Sequence, residues 1–260
     1  MSLPLAGRRI VVTRPAGQSA GLARLIREAG GEPVLFPALE ILPPSDPAAL
    51  AAVLARLDEF DLAIFISRNA VDWGLRTLGR AWPEQVRVAA VGAGTARALA
   101  ERGIGGVIVP QGPQPDSEAL LARPELADVR ARRVLIFRGE GGREVLRETL
   151  VARGAEVEYA ECYRRARPRA DGAALAAAWA RGEVDAATVN SAEALENLCA
   201  LIGEAGVRAA RATPLFVPHP RVAKAAVELG FARILVAGPG DEAMRDRLVA
   251  YFAAQSFAAR

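Results

Sequence analysis

Near its start the chain has the stretch Arg8-Arg9-Ile10-Val11-Val12-Thr13-Arg14, and 124 residues later it has Arg132-Arg133-Val134-Leu135-Ile136-Phe137-Arg138. At the same offset the stretch Asp61–Ala70 recurs as Asp185–Ala194, with Asp, Ser and Ala in register. One copy is already the size of a domain, so the pattern predicts a duplicated domain and not a short-period solenoid. Because ligands often bind in clefts between domains, we expect the functional site between the two copies.

The composition is that of a globular protein with a small excess of positive charge. Hydrophobic residues make up 52% of the chain and charged residues 24%, which argues against disorder. The formal net charge of +3 permits an anionic partner without requiring one. No cluster of arginines is interleaved with aromatic residues, so we expect no nucleic-acid partner.

Cysteine usage and hydropathy predict the compartment. Cys162 and Cys199 are single and far apart, which gives neither a disulfide framework nor a zinc pattern. The start of the chain has no long apolar segment ahead of a cleavage site, and no apolar run of about 18 residues occurs. We therefore expect a cytoplasmic protein that makes no contact with a membrane, and we expect it to be a monomer.

Short apolar runs alternate with stretches of helical spacing along the whole chain. This alternation favours parallel sheets covered by helices on both faces. Each half is then expected to hold a five-stranded, doubly wound, flavodoxin-like sheet. Asp46-Pro47 predicts the start of a helix, and Gly30 and Gly154 predict helix ends. The predicted strands are residues 8–13, 33–37, 61–67, 86–91, 105–109, 132–138, 155–160, 184–190, 212–218 and 232–237.

Two segments bounded by proline, residues 36–44 and 160–168, interrupt the alternation at equivalent places in the two repeats. Proline excludes both a helix interior and a central strand, so these segments are linkers or paired edge strands. If the chain passes between the domains at both segments, one domain must be formed by two separate parts of the chain. The predicted limits are 1–37 with 168–260 for the first domain, 42–160 for the second, and 38–41 and 161–167 for the linker strands.

Several common catalytic devices are missing from the sequence. His219 is the only histidine, and it lies between Pro218 and Pro220. A zinc site needs three or four nitrogen or sulfur ligands, and a serine triad would need a nucleophile elbow of the form Gly-x-Ser-x-Gly. No phosphate-binding loop of the P-loop type is present either. We therefore expect no metal site and, if the chain catalyses a reaction, catalysis by positioning and by backbone donors.

A glycine turn, Val91-Gly92-Ala93-Gly94-Thr95, leads from a predicted strand into a predicted helix. The free N–H groups at a helix start favour a carboxylate or phosphate. Thr95 as an ordinary helix cap explains the same residues equally well. Arg97 takes the place of the third glycine of a dinucleotide fingerprint, so this turn does not predict a nucleotide.

Polar side chains also follow other predicted strands. Ser67 and Asn69 do so in one half, and Asn190 and Ser191 in the other, where Glu193 and Asn190 have capping-box-like spacing. Residues of this kind are most often helix caps, although their recurrence also fits a symmetric cleft.

Arginines and one tyrosine complete the candidates. Arg138 and Arg143 flank a glycine-rich turn, and Arg14 is the counterpart of Arg138 in the first copy. Arginine suits bidentate carboxylate binding, although a single exposed arginine is usually only solvated. Tyr163 lies in the second proline-bounded segment, where its hydroxyl could reach across the cleft or its ring could be half-buried in the linker.

At these residues the chain resembles the uroporphyrinogen-III synthase family over essentially its whole length. It departs from the family at Val217-Pro218-His219-Pro220-Arg221, where many members have a glycine-and-threonine turn, so that His219 or Arg221 would take the place of that hydroxyl. The shared motifs, in the family order, are Val12-Thr13-Arg14-Pro15, Phe65-Ile66-Ser67-Arg68-Asn69-Ala70-Val71, Val91-Gly92-Ala93-Gly94-Thr95-Ala96, Arg138-Gly139 with Gly142-Arg143-Glu144, and Tyr163.

The resemblance implies two α/β domains joined by a two-stranded linker, the first domain being made of both chain ends. It implies cyclisation of the linear tetrapyrrole hydroxymethylbilane to uroporphyrinogen III, in haem biosynthesis, with loss of water, inversion of the last ring and no cofactor. Tyr163 is then the candidate catalytic residue. The candidate substrate-binding residues are Thr13, Arg14, Ser67, Asn69, Gly94, Thr95, Arg138, Gly139, Arg143, Ser191 and His219.

Two other classes of protein remain as alternatives. A non-catalytic two-lobed ligand-binding protein would show the same duplication, although such proteins are usually exported. A flavodoxin-like regulatory or nucleotide-binding protein would need a phosphate loop after the first strand, where this chain has Thr13-Arg14-Pro15-Ala16-Gly17.

Overall fold

The computed structural model describes residues 3–112 and 116–258. The chain divides into two compact units. Unit 1 comprises Met1–Glu40 and Ala166–Arg260, and unit 2 comprises Ile41–Arg165. The chain therefore passes from unit 1 into unit 2 after Glu40 and returns at Ala166.

Strands and helices alternate along most of the described residues, with two exceptions. The ten strands found there are β1 (Arg9–Val12), β2 (Glu32–Leu35), β3 (Glu40–Leu42), β4 (Leu62–Phe65), β5 (Arg87–Ala90), β6 (Arg133–Gly139), β7 (Glu156–Ala166), β8 (Ala186–Thr188), β9 (Leu215–Val217) and β10 (Ile234–Val236). The ten α-helices in the same residues are α1 (Ala20–Glu28), α2 (Pro47–Ala55), α3 (Arg68–Leu78), α4 (Ala93–Ala100), α5 (Ser117–Leu121), α6 (Val145–Ala152), α7 (Ala173–Ala180), α8 (Ala192–Ala210), α9 (Pro220–Glu228) and α10 (Asp241–Ala258). The exceptions to the alternation are that β3 directly follows β2 and that α5 directly follows α4.

Each unit is built on one sheet. In unit 1 the strand order is β10-β9-β8-β1-β2, and all neighbouring pairs are parallel. In unit 2 the order is β3-β7-β6-β4-β5, in which β7, β6, β4 and β5 are mutually parallel. Parallel neighbours require crossover connections, which the helices supply. The predicted α/β class with two parallel sheets is confirmed.

Both faces of the central strands of each sheet are buried, as their continuous apolar sequences predict, whereas the edge strands β2, β3 and β10 are partly exposed. In unit 2, Phe65 and Phe137 belong to one core cluster, whereas Ile64 and Ile136 belong to another. Since successive side chains of a strand point to opposite faces, the two clusters lie on opposite sides of the sheet. Unit 1 is likewise divided into two clusters.

One predicted strand is wrong. Residues 105–109 form only a single bridge, between Ile108 and Ala89, and not a strand. Gly106 has a φ of +64°, outside the strand region, and Pro110 has no N–H to donate, so the ladder cannot extend in either direction. The fifth strand of the unit 2 sheet is instead β3, which comes from the first proline-bounded segment.

The local start signal at Asp46 is confirmed. Asp46 caps α2, because its side chain accepts a hydrogen bond of 2.9 Å from the Ala49 N–H, and Pro47 occupies the first turn. Gly30 and Gly154 follow α1 and α6 with φ values of +92° and +87°, as glycines after helix ends do.

Candidate active site

In unit 2, candidate residues follow three neighbouring parallel strands at their carboxyl ends. Ser67 follows β4, the glycine turn follows β5, and Arg138-Gly139 ends β6. Carboxyl ends of parallel strands share one edge of the sheet, where ligands bind in open α/β folds. The topology thus groups residues that are up to 72 positions apart in the sequence, from Ser67 to Gly139.

Ser67 and Tyr163 contact each other inside unit 2. The Tyr163 hydroxyl lies 3.0 Å from Ser67 Oγ, which also accepts a 3.1 Å hydrogen bond from the Ala70 N–H as the cap of α3. Tyr163 lies on β7 and is only 3% exposed, within the apolar core. Its hydroxyl therefore reaches Ser67 of its own unit, and its ring is buried, not half-buried as the linker alternative predicted. Asn69 lies in the first turn of α3.

Gly139 makes room for the Tyr163 ring. A Cβ at position 139 would lie 2.7 Å from two ring atoms of Tyr163 and 3.1 Å from its hydroxyl. Any larger residue would displace the ring, so the glycine is a packing requirement of the Ser67–Tyr163 pair. The sequence motif Arg138-Gly139 gave no indication of this role.

The glycine turn after β5 leaves the start of α4 open. Gly92 is the N-cap, and no side chain caps the helix. A Cβ at Gly94 would have no atom within 4 Å. Thr95 is 7% exposed and lies inside the helix, so its interpretation as the helix cap is wrong. An uncapped first turn beside open space suits an anionic group.

Arg138 is folded back onto its own loop. It is 3% exposed, its Nε donates to the Gly139 carbonyl at 3.2 Å, and its Nη1 lies 2.9 Å from Glu144 Oε1. Its Nη2 donates to the Gly141 carbonyl, and its guanidinium carbon lies 4.4 Å from the centre of the Tyr159 ring. This side chain chiefly holds the glycine loop against the sheet.

Glu144 joins Arg138 to Tyr159. The Tyr159 hydroxyl donates to Glu144, and together with Arg138 this contact lowers the pKa of the Glu144 carboxyl. Burial, reinforced by the Glu144 carboxylate, raises the pKa of Tyr159 to about 12. The phenol therefore keeps its proton at neutral pH, and the three side chains form a closed network.

Arg143 is exposed, unlike Arg138. Its side chain is 46% exposed, and it forms a bidentate pair with Glu118, at 2.5 Å and 3.3 Å between nitrogen and oxygen atoms. Exposed pairs of this kind are worth at most about 1 kcal/mol. Arg143 can therefore exchange Glu118 for another carboxylate at little cost.

In unit 1, Thr13 is a buried strand-end residue. It is 1% exposed, and its Oγ1 donates to the Thr188 carbonyl at 2.9 Å. The Thr188 hydroxyl in turn donates to the Val11 carbonyl at 3.2 Å. The two threonines join β1 to β8 by side-chain bonds at the end of the sheet.

Arg14 is held between two strand-end partners. Its Nη1 pairs with the Asp241 carboxylate at the start of α10. Its Nε and Nη2 each lie 3.1 Å from the end of the Asn190 amide, which accepts from both when its oxygen is turned toward the guanidinium. The Arg14 and Asp241 side chains are 15% and 22% exposed. The Asp241 carboxylate lies directly against Gly21 of α1, where any side chain would collide with it. The guanidinium is thereby fixed in one orientation.

Ser191 and His219 are helix caps. Ser191 Oγ accepts from the Ala194 N–H at 3.1 Å, so Ser191, and not Asn190, caps α8. His219 Nδ1 accepts from the Arg221 N–H at 3.1 Å, and Pro220 occupies the first turn of α9. Both caps follow strands of unit 1, β8 and β9, at the edge that Arg14 also occupies.

Sequence reasoning assigned no role to Asp241, Tyr159 or Glu144, although Glu144 belongs to one of the shared motifs. Asp241 follows a Gly-Pro-Gly turn and opens a helix, which is a typical place for an acidic side chain. Tyr159 occupies an ordinary strand position, and no sequence signal marks it.

None of the helices in residues 3–112 and 116–258 is both long and apolar enough to cross a membrane.

Comparison with known proteins identifies the family. The profile of the family described as uroporphyrinogen-III synthase HemD matches residues 20–245. The uroporphyrinogen-III synthase of Escherichia coli strain K12 is 38% identical over 239 residues, covering 89% of this chain and 96% of that protein. The chain belongs to the uroporphyrinogen-III synthase family. The resemblance noted in the sequence is therefore confirmed.

Solved structures of uroporphyrinogen III synthases share the fold. A mutant form of the enzyme from the extremely thermophilic bacterium Thermus thermophilus has a TM-score of 0.64 at 22% identity, covering 96% of this chain and 99% of that one. The Helicobacter pylori enzyme has a TM-score of 0.57 at 16% identity, covering 94% and 99%. At these identities the likeness concerns the fold.

Proposed function

We propose that this chain cyclises hydroxymethylbilane to uroporphyrinogen III, a step of porphyrin and haem biosynthesis, without a cofactor. The observation that carries the proposal is the 38% identity to a uroporphyrinogen-III synthase over nearly the full length of both chains. The non-catalytic and the nucleotide-binding alternatives have no comparable support.

The chemistry suits the residues that the chain offers. The bond from the terminal carbon to its hydroxyl breaks, and that carbon bonds to the α-carbon of the last pyrrole ring that already carries the methylene bridge, which gives a spiro intermediate. The old bridge bond then breaks and re-forms at the free α-carbon of the same ring, so that the ring is inverted. The hydrogen of that free α-carbon leaves as a proton, which with the departed hydroxide makes the one molecule of water lost. The electron-rich pyrroles expel the hydroxyl, so that the protein chiefly has to hold the reacting ends together. Positioning of this kind can contribute about 7–11 kcal/mol to lowering the barrier.

We propose Ser67 as the hydroxyl that contacts the departing group. Ser67 is half-buried, whereas Tyr163 is 3% exposed, so Ser67 is the member of the pair that a ligand can reach. Tyr163, 3.0 Å behind it, then acts as a positioning residue and as a proton source through Ser67.

Carboxylate binding is proposed for several separate donors. Hydroxymethylbilane carries eight carboxylates, and the open start of α4, Arg14 and Arg143 each offer N–H groups. An opposite-charge pair contributes about 1–4 kcal/mol between water-like and surface-like screening. Affinity is therefore spread over many contacts.

We also propose that the enzyme is a monomer of the cytoplasm. Cys162 and Cys199 are free thiols, as is usual in a reducing compartment. Gel filtration of the purified protein with multi-angle scattering tests the oligomeric state directly.

The test of function is the identity of the cyclic product. The protein is incubated with hydroxymethylbilane, the products are oxidised to porphyrins, and the type I and type III isomers are separated by chromatography. We expect type III isomer in excess over a control without protein. An isomer distribution identical to that control would refute the proposed function.

A further inference from the structure

Unit 2 contains a cavity of about 240 Å³ beside Arg143. Its apolar wall consists of Ile66, Val91, Ile136 and Leu146. Ile136 belongs to the core cluster that α5 and α6 cover, so the cavity lies on that side of the sheet. All its lining residues belong to unit 2.

The polar wall of this cavity carries three arginines, Arg138, Arg143 and Arg165, together with Ser117. Two of them are paired with carboxylates that are not among the lining residues, Arg138 with Glu144 and Arg143 with Glu118. Tyr159 also lines it and, with a pKa raised to about 12 by burial, adds no negative charge at neutral pH. A small apolar pocket with a few guanidinium groups suits a short carboxylate-bearing chain.

The size of the cavity limits its ligand. Pockets that enclose a drug-sized molecule measure about 300–1,000 Å³. A cavity of about 240 Å³ is smaller than that range, and a tetrapyrrole is larger than such a molecule. The cavity therefore has room for a side chain of the substrate, whereas the ring system would have to extend beyond it.

Arg143 is the arginine best placed to bind such a side chain. Three N–H groups of Arg138 are used by its own loop and by Glu144. Of the five N–H groups of Arg143, two go to Glu118, and that pair is exposed on both sides, 46% and 51%.

We propose that this cavity is a binding pocket for one carboxylate side chain of the tetrapyrrole substrate, and that Glu118 occupies Arg143 until that carboxylate replaces it. The proposal deepens the function proposed above and rests on it. Glu118 is then a competitor of the substrate and not a ligand.

The test is the effect of three variants on the KM and kcat of the cyclisation of hydroxymethylbilane. Arg143→Ala should raise KM about two- to fivefold, which corresponds to the free energy of an exposed ion pair. The change in kcat should be smaller, because the pocket binds the substrate equally well in the ground state and in the transition state. Glu118→Gln should lower KM below the wild-type value. The matched control is Arg80→Ala, which removes an equally exposed bidentate pair, Arg80–Asp58, outside the cavity.

Each outcome decides the proposal. A wild-type KM in Arg143→Ala, or an equal rise of KM in Arg143→Ala and Arg80→Ala, would overturn the pocket. A rise of KM in Glu118→Gln would show that the pair only supports the loop, and would overturn it as well. If the wild-type protein forms no type III product, the proposed function is wrong and the proposed pocket is wrong with it. If the wild-type protein is active but the variants have the wild-type KM, only the proposed pocket is refuted.

Discussion

Arg14 and Arg138 occupy equivalent positions of the repeat, yet they use their guanidinium groups differently. Arg138 is 3% exposed and bonded to the Gly139 and Gly141 carbonyls. Arg14 is 15% exposed and fixed by Asp241 from another helix. The duplicated residue has become part of the loop in unit 2, whereas in unit 1 it stays at the surface of the sheet edge.

Tyr163→Phe should lower kcat roughly five- to tenfold, because it removes one hydrogen bond to Ser67 worth about 1 kcal/mol and the proton behind it. Type III product should still form. Ser67→Ala should lower kcat at least as much. The kcat of the double variant should equal that of Ser67→Ala alone, because both substitutions remove the same Ser67–Tyr163 hydrogen bond. The measurement is steady-state turnover of hydroxymethylbilane with analysis of the isomers.

The matched control for this cycle is Tyr251→Phe, which removes an exposed tyrosine hydroxyl bonded to Gln255 on α10. It should turn over like wild type. Additive losses in the Ser67 and Tyr163 variants would contradict action through Ser67, and wild-type turnover in Tyr163→Phe would make the tyrosine a packing residue.

Part of the site could be predicted at the level of residues, and part could not. Ser67 and Ser191 were expected as helix caps, and both are, because a serine between a strand and a helix has a strong local preference. The burial of Arg138 could not be predicted. It depends on Gly141 and Gly142, with φ values of +67° and +103°, which turn the loop back over the side chain.

At the scale of elements, the open start of α4 has an experimental consequence. Gly94→Ala should raise stability by up to about 1 kcal/mol, because alanine is the better helix former and its Cβ meets no atom within 4 Å. The same methyl group occupies the space beside the first N–H groups, so KM for hydroxymethylbilane should rise severalfold. Thermal unfolding and steady-state kinetics measure the two effects.

Gly105→Ala serves as the control, since that position is also open but lies outside the turn. It should leave KM unchanged. An unchanged KM in Gly94→Ala would show that no substrate group lies at the start of α4.

A second element-scale feature ties neighbouring strands together at their amino ends, once in each unit. The Asp61 carboxylate accepts from the Arg133 N–H at 2.9 Å and from Arg132 at 2.8 Å. Asp185 does the same with the Arg9 N–H at 2.9 Å and Arg8 at 2.8 Å. The Arg-Arg pair that revealed the repeat therefore has the same structural role in both copies.

Asp61→Asn should lower the urea midpoint at pH 7 by an amount equivalent to less than about 1 kcal/mol, since the carboxylate is 38% exposed and partly screened. The Arg133 N–H and the Arg132 guanidinium lower the pKa of Asp61 below its ordinary value of 3.8. A carboxyl group whose pKa is lower in the folded state than in the unfolded state stabilises the fold. This stabilisation is fully present when the pH is above the unfolded-state pKa, and it is lost as the pH falls through the folded-state pKa. The difference between variant and wild type should thus be constant from pH 7 to 5 and shrink below about pH 4.

Urea titrations at pH 7, 5 and 3.5 measure this dependence, with the exposed Glu204→Gln as control. A difference that grows on acidification would contradict the assigned sign.

The strands themselves were largely predictable, because buried parallel strands are continuous apolar runs between glycine and helix signals. Residues 105–109 are the exception. The run Val107-Ile108-Val109 has the composition of a strand, but it forms only one bridge because Gly106 and Pro110 on either side prevent further pairing. Pairing partners could not be predicted either, since β3 joins the unit 2 sheet through contacts with β7, more than 100 residues away in the sequence.

At the scale of the whole molecule, the two units differ in how the chain supplies them. Unit 2 is one continuous segment, whereas unit 1 is assembled from both parts of the chain that flank it. Both core clusters of unit 2 are drawn from its own residues. In unit 1, the central pair β1 and β8 joins residues about 175 positions apart. Unit 2 can therefore form locally, but unit 1 needs both chain parts.

A fragment of residues 39–167, which keeps β3 and β7 whole, should therefore fold alone. Its length is that of an ordinary domain with two cores of its own, and we expect one cooperative transition in urea by circular dichroism. It should form no excess of type III product from hydroxymethylbilane, because Arg14 and the helix starts of unit 1 are missing. Full-length protein in the same assay is the control. A fragment without a cooperative transition would show that unit 2 depends on unit 1 for its core, and a fragment with full activity would place the whole site in unit 2.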